Sequence, residues 1–95
     1  MNMASDVSEL TVNYEEDGVV TVKELDKIVL TKGAWATLIF RYQQFDKKKE
    51  AFGPDMYTIR RYQKRSGEYL PKSKFNISSR DQAEKIIAAL QSWMD

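Results

Sequence analysis

Between Val19 and Ile77 the chain is a succession of strand-forming runs, and this most restricts what it can become. Val19–Lys23, Lys27–Thr31, Ala34–Phe45, Met56–Gln63 and Tyr69–Ile77 are rich in β-branched and aromatic residues. The connections are short: Lys32-Gly33, the segment 46–55 with Gly53-Pro54 at its end, and Lys64-Arg65-Ser66-Gly67-Glu68. Parallel neighbours need a crossover of about a dozen residues or more, so consecutive runs of this kind pair antiparallel. Pro71 interrupts the last run and belongs at an edge or a bulge, because it has no N–H to give to a ladder.

One helix follows. Ser79-Arg80-Asp81-Gln82 has the form of a capping box, with a hydroxyl to accept from the third helical N–H and an amide to reach back. Ala83, Ile86, Ile87, Leu90, Trp93 and Met94 recur at spacings that make one apolar stripe, while Glu84, Lys85, Gln91 and Ser92 cover the other side. The expected class is α+β, a strongly curved antiparallel sheet of about four strands with a C-terminal amphipathic helix. Ninety-five residues suffice for one domain. Residues 19–95 are assigned to it, with Tyr57 and Ile59 expected in the core under the helix. Residues 1–18 are acidic, poor in large apolar side chains, and expected to be a flexible or loosely docked arm.

The chain has no Cys and no His. That removes disulfides, thiolate and imidazole metal sites, a Cys nucleophile and any Ser-His-Asp triad. Gly33, Gly53 and Gly67 are isolated, so no phosphate-cradling glycine loop exists, and no acidic pair shares a strand face within the basic body. The expectation is a protein that is not an enzyme and uses no cofactor or metal. No apolar run is long enough for a membrane helix, and the first residues lack the pattern of a signal peptide, so a cytoplasmic protein is expected.

The net charge of +1 conceals a segregated distribution. Residues 1–26 hold seven acids against one base, residues 27–74 twelve bases against four acids, and residues 75–95 two bases against three acids. A basic body with an acidic arm suits a polyanion. Aromatic and basic residues interleave on the strands, in Phe40-Arg41-Tyr42, in Phe45 beside Lys47-Lys48-Lys49, and in Arg60-Arg61-Tyr62 before Lys64-Arg65. Single-stranded nucleic acid offers phosphates and bare base faces, so a binding sheet needs cations and aromatic planes on one side. Period two puts Arg60 with Tyr62, and Arg41 with Gln43 and Phe45. Trp35 and Trp93 suit core or dimer packing as well as base stacking.

Tyr57-Thr58-Ile59-Arg60-Arg61-Tyr62, the Gly67-Glu68 turn, Pro71, Lys74 and Ile77-Ser78 before the helix resemble the single-stranded-DNA-binding domain of the transcriptional coactivator positive cofactor four (p15) family. The likeness is greatest to its small bacterial members and covers roughly residues 27–94, including Ile28-Val29-Leu30 and Trp35. It implies a homodimer whose concave sheet faces bind single-stranded DNA, or unwound duplex, with little sequence preference. By position, Arg60 matches the family's strand arginine that contacts DNA, Tyr62 the aromatic two residues on, Phe45 and Lys47 the aromatic–lysine pair at the end of the second strand, and Lys74 the lysine before the final Ile-Ser. The chain departs from the pattern at Gln63, where the family often has Trp, at Ser73, in the longer loop 46–55, and by an extra residue near Phe75-Asn76.

The nucleic-acid-binding set expected from residues and resemblance together is Arg41, Phe45, Lys47, Lys49, Arg60, Tyr62, Lys64, Lys72 and Lys74. The expected partners are single-stranded DNA, a second copy of the chain, and transcription or repair machinery. RNA is a variant, since stacking and phosphate tracking do not separate the two. The alternative is a protein–protein adaptor whose acidic arm docks a partner or lies over its own basic sheet.

Overall fold

The computed structural model describes residues 4–95. It is an α+β protein with a strongly curled antiparallel sheet and one C-terminal helix. The strands are β1 (Tyr14–Glu16), β2 (Val19–Thr31), β3 (Trp35–Asp46), β4 (Ala51–Phe52), β5 (Met56–Arg65) and β6 (Glu68–Ile77), followed by α1 (Arg80–Met94). The order across the sheet is β1-β2-β3-β5-β6, with the short β4 pairing onto the end of β3.

The sheet is larger than the four strands expected, for two local reasons. Asp17 (φ 51°) and Gly18 (φ 79°) both lie in the left-handed region, so Glu16 pairs with Val19 across a two-residue turn and residues 14–16 become a strand. Ser66 and Gly67 repeat these angles between β5 and β6. In the 46–55 connection, Phe52 and Ala51 fold back to pair with Phe45 and Asp46. Conversely, the first two runs form one strand, β2, with Leu25 as an extra residue between Glu24 and Asp26. Pro71 sits on the edge strand β6 at a bulge, where Arg61 pairs with Ser73 and Tyr62 with Pro71.

Alternation divides the sheet into two unlike faces. The concave face holds the core: Ala36, Leu38, Phe40 and Tyr42 of β3, Tyr62 of β5 and Tyr69 of β6. Thr58, fully buried on this face, donates its hydroxyl to Asn76 Oδ1 at 2.7 Å. What covers this face is the N-terminal segment. Ala4, Leu10 and Val12 are buried in the same cluster, with Val7 packed against it. Asp6 caps a single 3-10 turn, Val7–Glu9, by accepting from the Ser8 N–H at 2.8 Å. The division expected at residue 18 therefore falls after a hairpin turn, and residues 4–16 belong to the folded body; residues 1–3 lie outside the described residues.

The convex face is largely bare, with Ile77, opposite Tyr57 and just before the helix, its one residue buried to the level of the core among the described residues. Ile28, Trp35 and Phe75 are exposed on it, Ile39, Tyr57 and Ile59 are half-buried, and the Arg61 guanidinium lies 4.7 Å from the centre of the Trp35 ring. The expectation that Tyr57 and Ile59 form a core under the helix is not met. The helix touches only β6 to any extent, none of its residues is buried, and Ile87, Leu90, Trp93 and Met94 point to solvent. Its start is well built nonetheless. Ser79 Oγ accepts from the Gln82 N–H at 3.1 Å, and Gln82 Oε1 reaches back to the Ser78 N–H at 2.8 Å, one residue beyond the usual capping-box partner. Ion pairs Arg80–Glu84 and Lys85–Asp81 lie along its surface. Among the described residues no helix is long and apolar enough to cross a membrane.

Candidate functional site

The sheet register builds one basic cluster. Arg60 on β5 lies directly opposite Lys74 on β6, and Tyr62 follows Arg60 on the same face. The bulge leaves Lys72 as the extra residue between Pro71 and Ser73, turning it toward the same recess. Arg60, Tyr62, Pro71, Lys72, Ser73 and Lys74 together line an open hollow of about 320 Å³. Three cations around one hollow make a site for an anion.

Two details show how this hollow is tuned. Tyr62 is only 5% exposed, and burial raises its phenol above the ordinary value of 10.0 despite the opposing charge of Arg60, so it is neutral near pH 7. Arg60 Nε is buried and has no hydrogen-bond partner among the described residues. A buried donor left unpaired costs about 1–3 kcal/mol, and more when it belongs to a charged group. Arg60 and Lys74 also line a second cavity of about 370 Å³, whose other wall is Thr11, Val12, Asn13 and Tyr14.

A groove of about 630 Å³ opens beyond it, lined by Phe45, Lys47, Tyr14, Val22, Gln44 and Met56 among others. Tyr14, Val22 and Gln44 line both this groove and the second cavity, so Phe45 and Lys47 adjoin the Arg60 side of the sheet through shared walls. The Phe45 ring meets Phe52 edge-on at 5.4 Å, and Lys23 Nζ lies 4.9 Å from the Phe52 centroid. Lys64 lies on the concave face, its ammonium 5.3 Å from the Tyr69 ring, whose hydroxyl donates to Gly33 O at 2.8 Å.

Three expected residues, Lys64, Arg41 and Lys49, line none of these hollows. Arg41 pairs with Asp26 and Tyr57 across the convex side, and its guanidinium is engaged by Asp55 at 3.2 Å, with Gln43 donating to the same carboxylate at 2.9 Å. The alternation that buries Phe40 and Tyr42 turns Arg41 away from Arg60 and Tyr62. Lys49 is exposed in the turn after β3, held only through its backbone N–H to Asp46 Oδ1 at 3.3 Å. It lines none of the hollows described.

Sequence reasoning missed Lys27. Its ammonium donates to three carbonyls of the N-terminal segment, Val7 O at 3.4 Å, Ser8 O at 2.7 Å and Leu10 O at 2.6 Å. Glu24 is tied to the same segment, accepting from Thr11 Oγ1 at 2.7 Å and the Val12 N–H at 3.3 Å, while its own N–H donates to Asn13 Oδ1. The available signal was the spacing of Val7, Leu10 and Val12, a small apolar set in an otherwise acidic stretch.

No family model, curated protein or solved structure matches this chain.

Proposed function

We propose that the protein binds single-stranded nucleic acid, DNA in the first instance, with little sequence preference and as a homodimer, in transcription or repair. The observation that carries this reading is the hollow on β5 and β6, where Arg60, Lys72 and Lys74 surround Tyr62 and one guanidinium N–H lacks an acceptor among the described residues. Phosphate oxygens are strong acceptors for such donors; Tyr62 is only 5% exposed, so the ring that meets a base face without reading its sequence is the half-buried Phe45 of the adjoining groove. Lys47 lines the same groove as that ring. The resemblance of Tyr57–Tyr62, Pro71, Lys74 and Ile77-Ser78 to the positive cofactor four family supports the same reading.

Dimerisation is supported by surface. The accessible area is 7129 Å², whereas a folded monomer of 11.1 kDa is expected to show about 5,700 Å². The excess resides in part in the apolar residues of the convex face and of α1, and it exceeds the ~800 Å² that each partner of a standard interface covers.

The test is fluorescence anisotropy of a labelled oligo-dT of about 20 nucleotides, competed by duplex DNA and by RNA at two salt concentrations. The expected result is salt-sensitive binding that prefers the single strand. Replacing Arg60 and Lys74 together by Ala should weaken it at least fivefold, on the order of 1–3 kcal/mol, and flatten the salt dependence. Unchanged affinity in the folded double variant would remove this hollow from the site.

A further inference from the structure

The concave face is half open and half covered. Its open half is the Arg60–Lys72–Lys74 hollow; its covered half, with Leu38, Phe40 and Tyr42, lies under residues 4–12. We propose that residues 4–12 are a displaceable strap that competes with nucleic acid for this face, and that Phe40 and Tyr42 become a base-stacking floor when it leaves. The proposal rests on the single-strand-binding reading above and adds its regulation.

The partners the strap supplies are weaker than a nucleic acid would provide. Lys27 receives neutral carbonyls from Val7, Ser8 and Leu10 where a phosphate would bring charge. Arg60 Nε, between the open hollow and the cavity walled by the strap, receives no acceptor among the described residues. Only Ala4, Leu10 and Val12 of the strap are buried, so few apolar side chains hold it down. Its charge has the sign of the ligand it would replace. Asp6 and Glu9 lie in it, and Lys32 and Lys64 both draw the Asp6 carboxyl downward in pKa, after the larger effect of its hydrogen bonds with Ser8. At its far end Ala4 O accepts from the Tyr69 N–H at 2.8 Å, so the strap also occupies part of the free edge of β6.

An acidic segment laid across a basic, aromatic concavity, with one 3-10 turn at its middle, thus carries the charge of a short single strand over the same face. The affinity of the full chain is then reduced by the fraction of time the strap is closed. Loosening it should tighten binding even where a positive charge is removed. That sign separates this proposal from simple electrostatics.

The experiment uses full-length protein and oligo-dT. Leu10→Ala and Lys27→Met each remove strap contacts and leave the proposed contact residues in place. Each is expected to bind oligo-dT more tightly than the parent, about tenfold if the strap is closed nine-tenths of the time. A plain charge effect predicts that Lys27→Met binds more weakly. In the unmodified protein, hydrogen exchange at the Tyr69 and Val12 amides, which donate to Ala4 O and Glu24 Oε1, should accelerate when oligo-dT is added. Oligo-dT binding with both amides still protected would overturn the strap while leaving the single-strand reading standing. Absence of binding by all three proteins would overturn that reading and the strap with it.

Discussion

Arg60 and Tyr62 show how two residues apart on one strand become part of one cluster. Alternation puts them on the same face, the ladder sets Lys74 beside Arg60, and the Pro71 bulge adds Lys72. Burial holds Tyr62 neutral, which sets the direction of its pH dependence. A phenol whose folded-state pKa is raised contributes stability that is fully present below the unfolded value, near 10.0, and is lost as pH rises through the folded value. Denaturant midpoints measured from pH 8 to pH 12 should therefore fall above about pH 10, and Tyr62→Phe should lose less of its stability over that window. An equal fall in both proteins would assign the alkaline loss to other groups. Arg41 marks the limit of reading at this scale. Its neighbours Phe40 and Tyr42 made it look like part of a binding strand, but only the choice of core face shows that it turns outward to Asp55.

At the scale of elements, each strand is assembled by local chemistry and then assigned a role by its neighbours. The left-handed Asp17 and Gly18 create β1, and through it the strap acquires a fixed exit from the sheet. The Asp-Gly pair is a strong hairpin signal, but a three-residue strand of Tyr14-Glu15-Glu16 carries too little apolar pattern to reveal its partner. The helix is the opposite case, with a start and stripe legible in full from Ser79 onward. Because none of its residues is buried in the protomer, its order depends on the cap and on i,i+4 pairs such as Arg80–Glu84. Ser79→Ala should cost about 1 kcal/mol of helix stability. Under conditions that keep the chain monomeric, this reads as a lower helical signal in far-ultraviolet circular dichroism with the sheet signal retained.

The whole molecule is flatter and more extended than its length requires. Its extents are 42 × 39 × 17 Å and its radius of gyration is 15.0 Å, against about 12 Å for a compact domain of this size. The difference reflects a helix projecting from the sheet and a largely bare convex face, two apolar surfaces in one chain. A homodimer that buries both would have its covered interface opposite the concave sites. Sedimentation at micromolar concentration should give twice the mass of the chain, and Leu90→Asp with Trp93→Asp should return it to a monomer. Retention of the dimer by that double variant would move the interface elsewhere.

What the sequence by itself determined is what depends on near neighbours along the chain. The strands follow from β-branched and aromatic runs, Pro71 from its missing donor, the helix from its cap and its period, and the Arg60–Tyr62 face from alternation. What only the tertiary structure decided is which face of the sheet became the core. Alternation defines two faces without ranking them, and the ranking came from residues far away in the chain. Leu10 and Val12 join Leu38, Phe40 and Tyr42 in one cluster because the curled sheet brings them together, whereas the stronger stripe of α1 stays mostly exposed, with Ala83 and Ile86 half-buried beside β6. A short, weakly apolar segment at the right place buries more of the sheet than a strongly amphipathic helix held away from it, because burial is gained by contact and not by hydrophobicity alone.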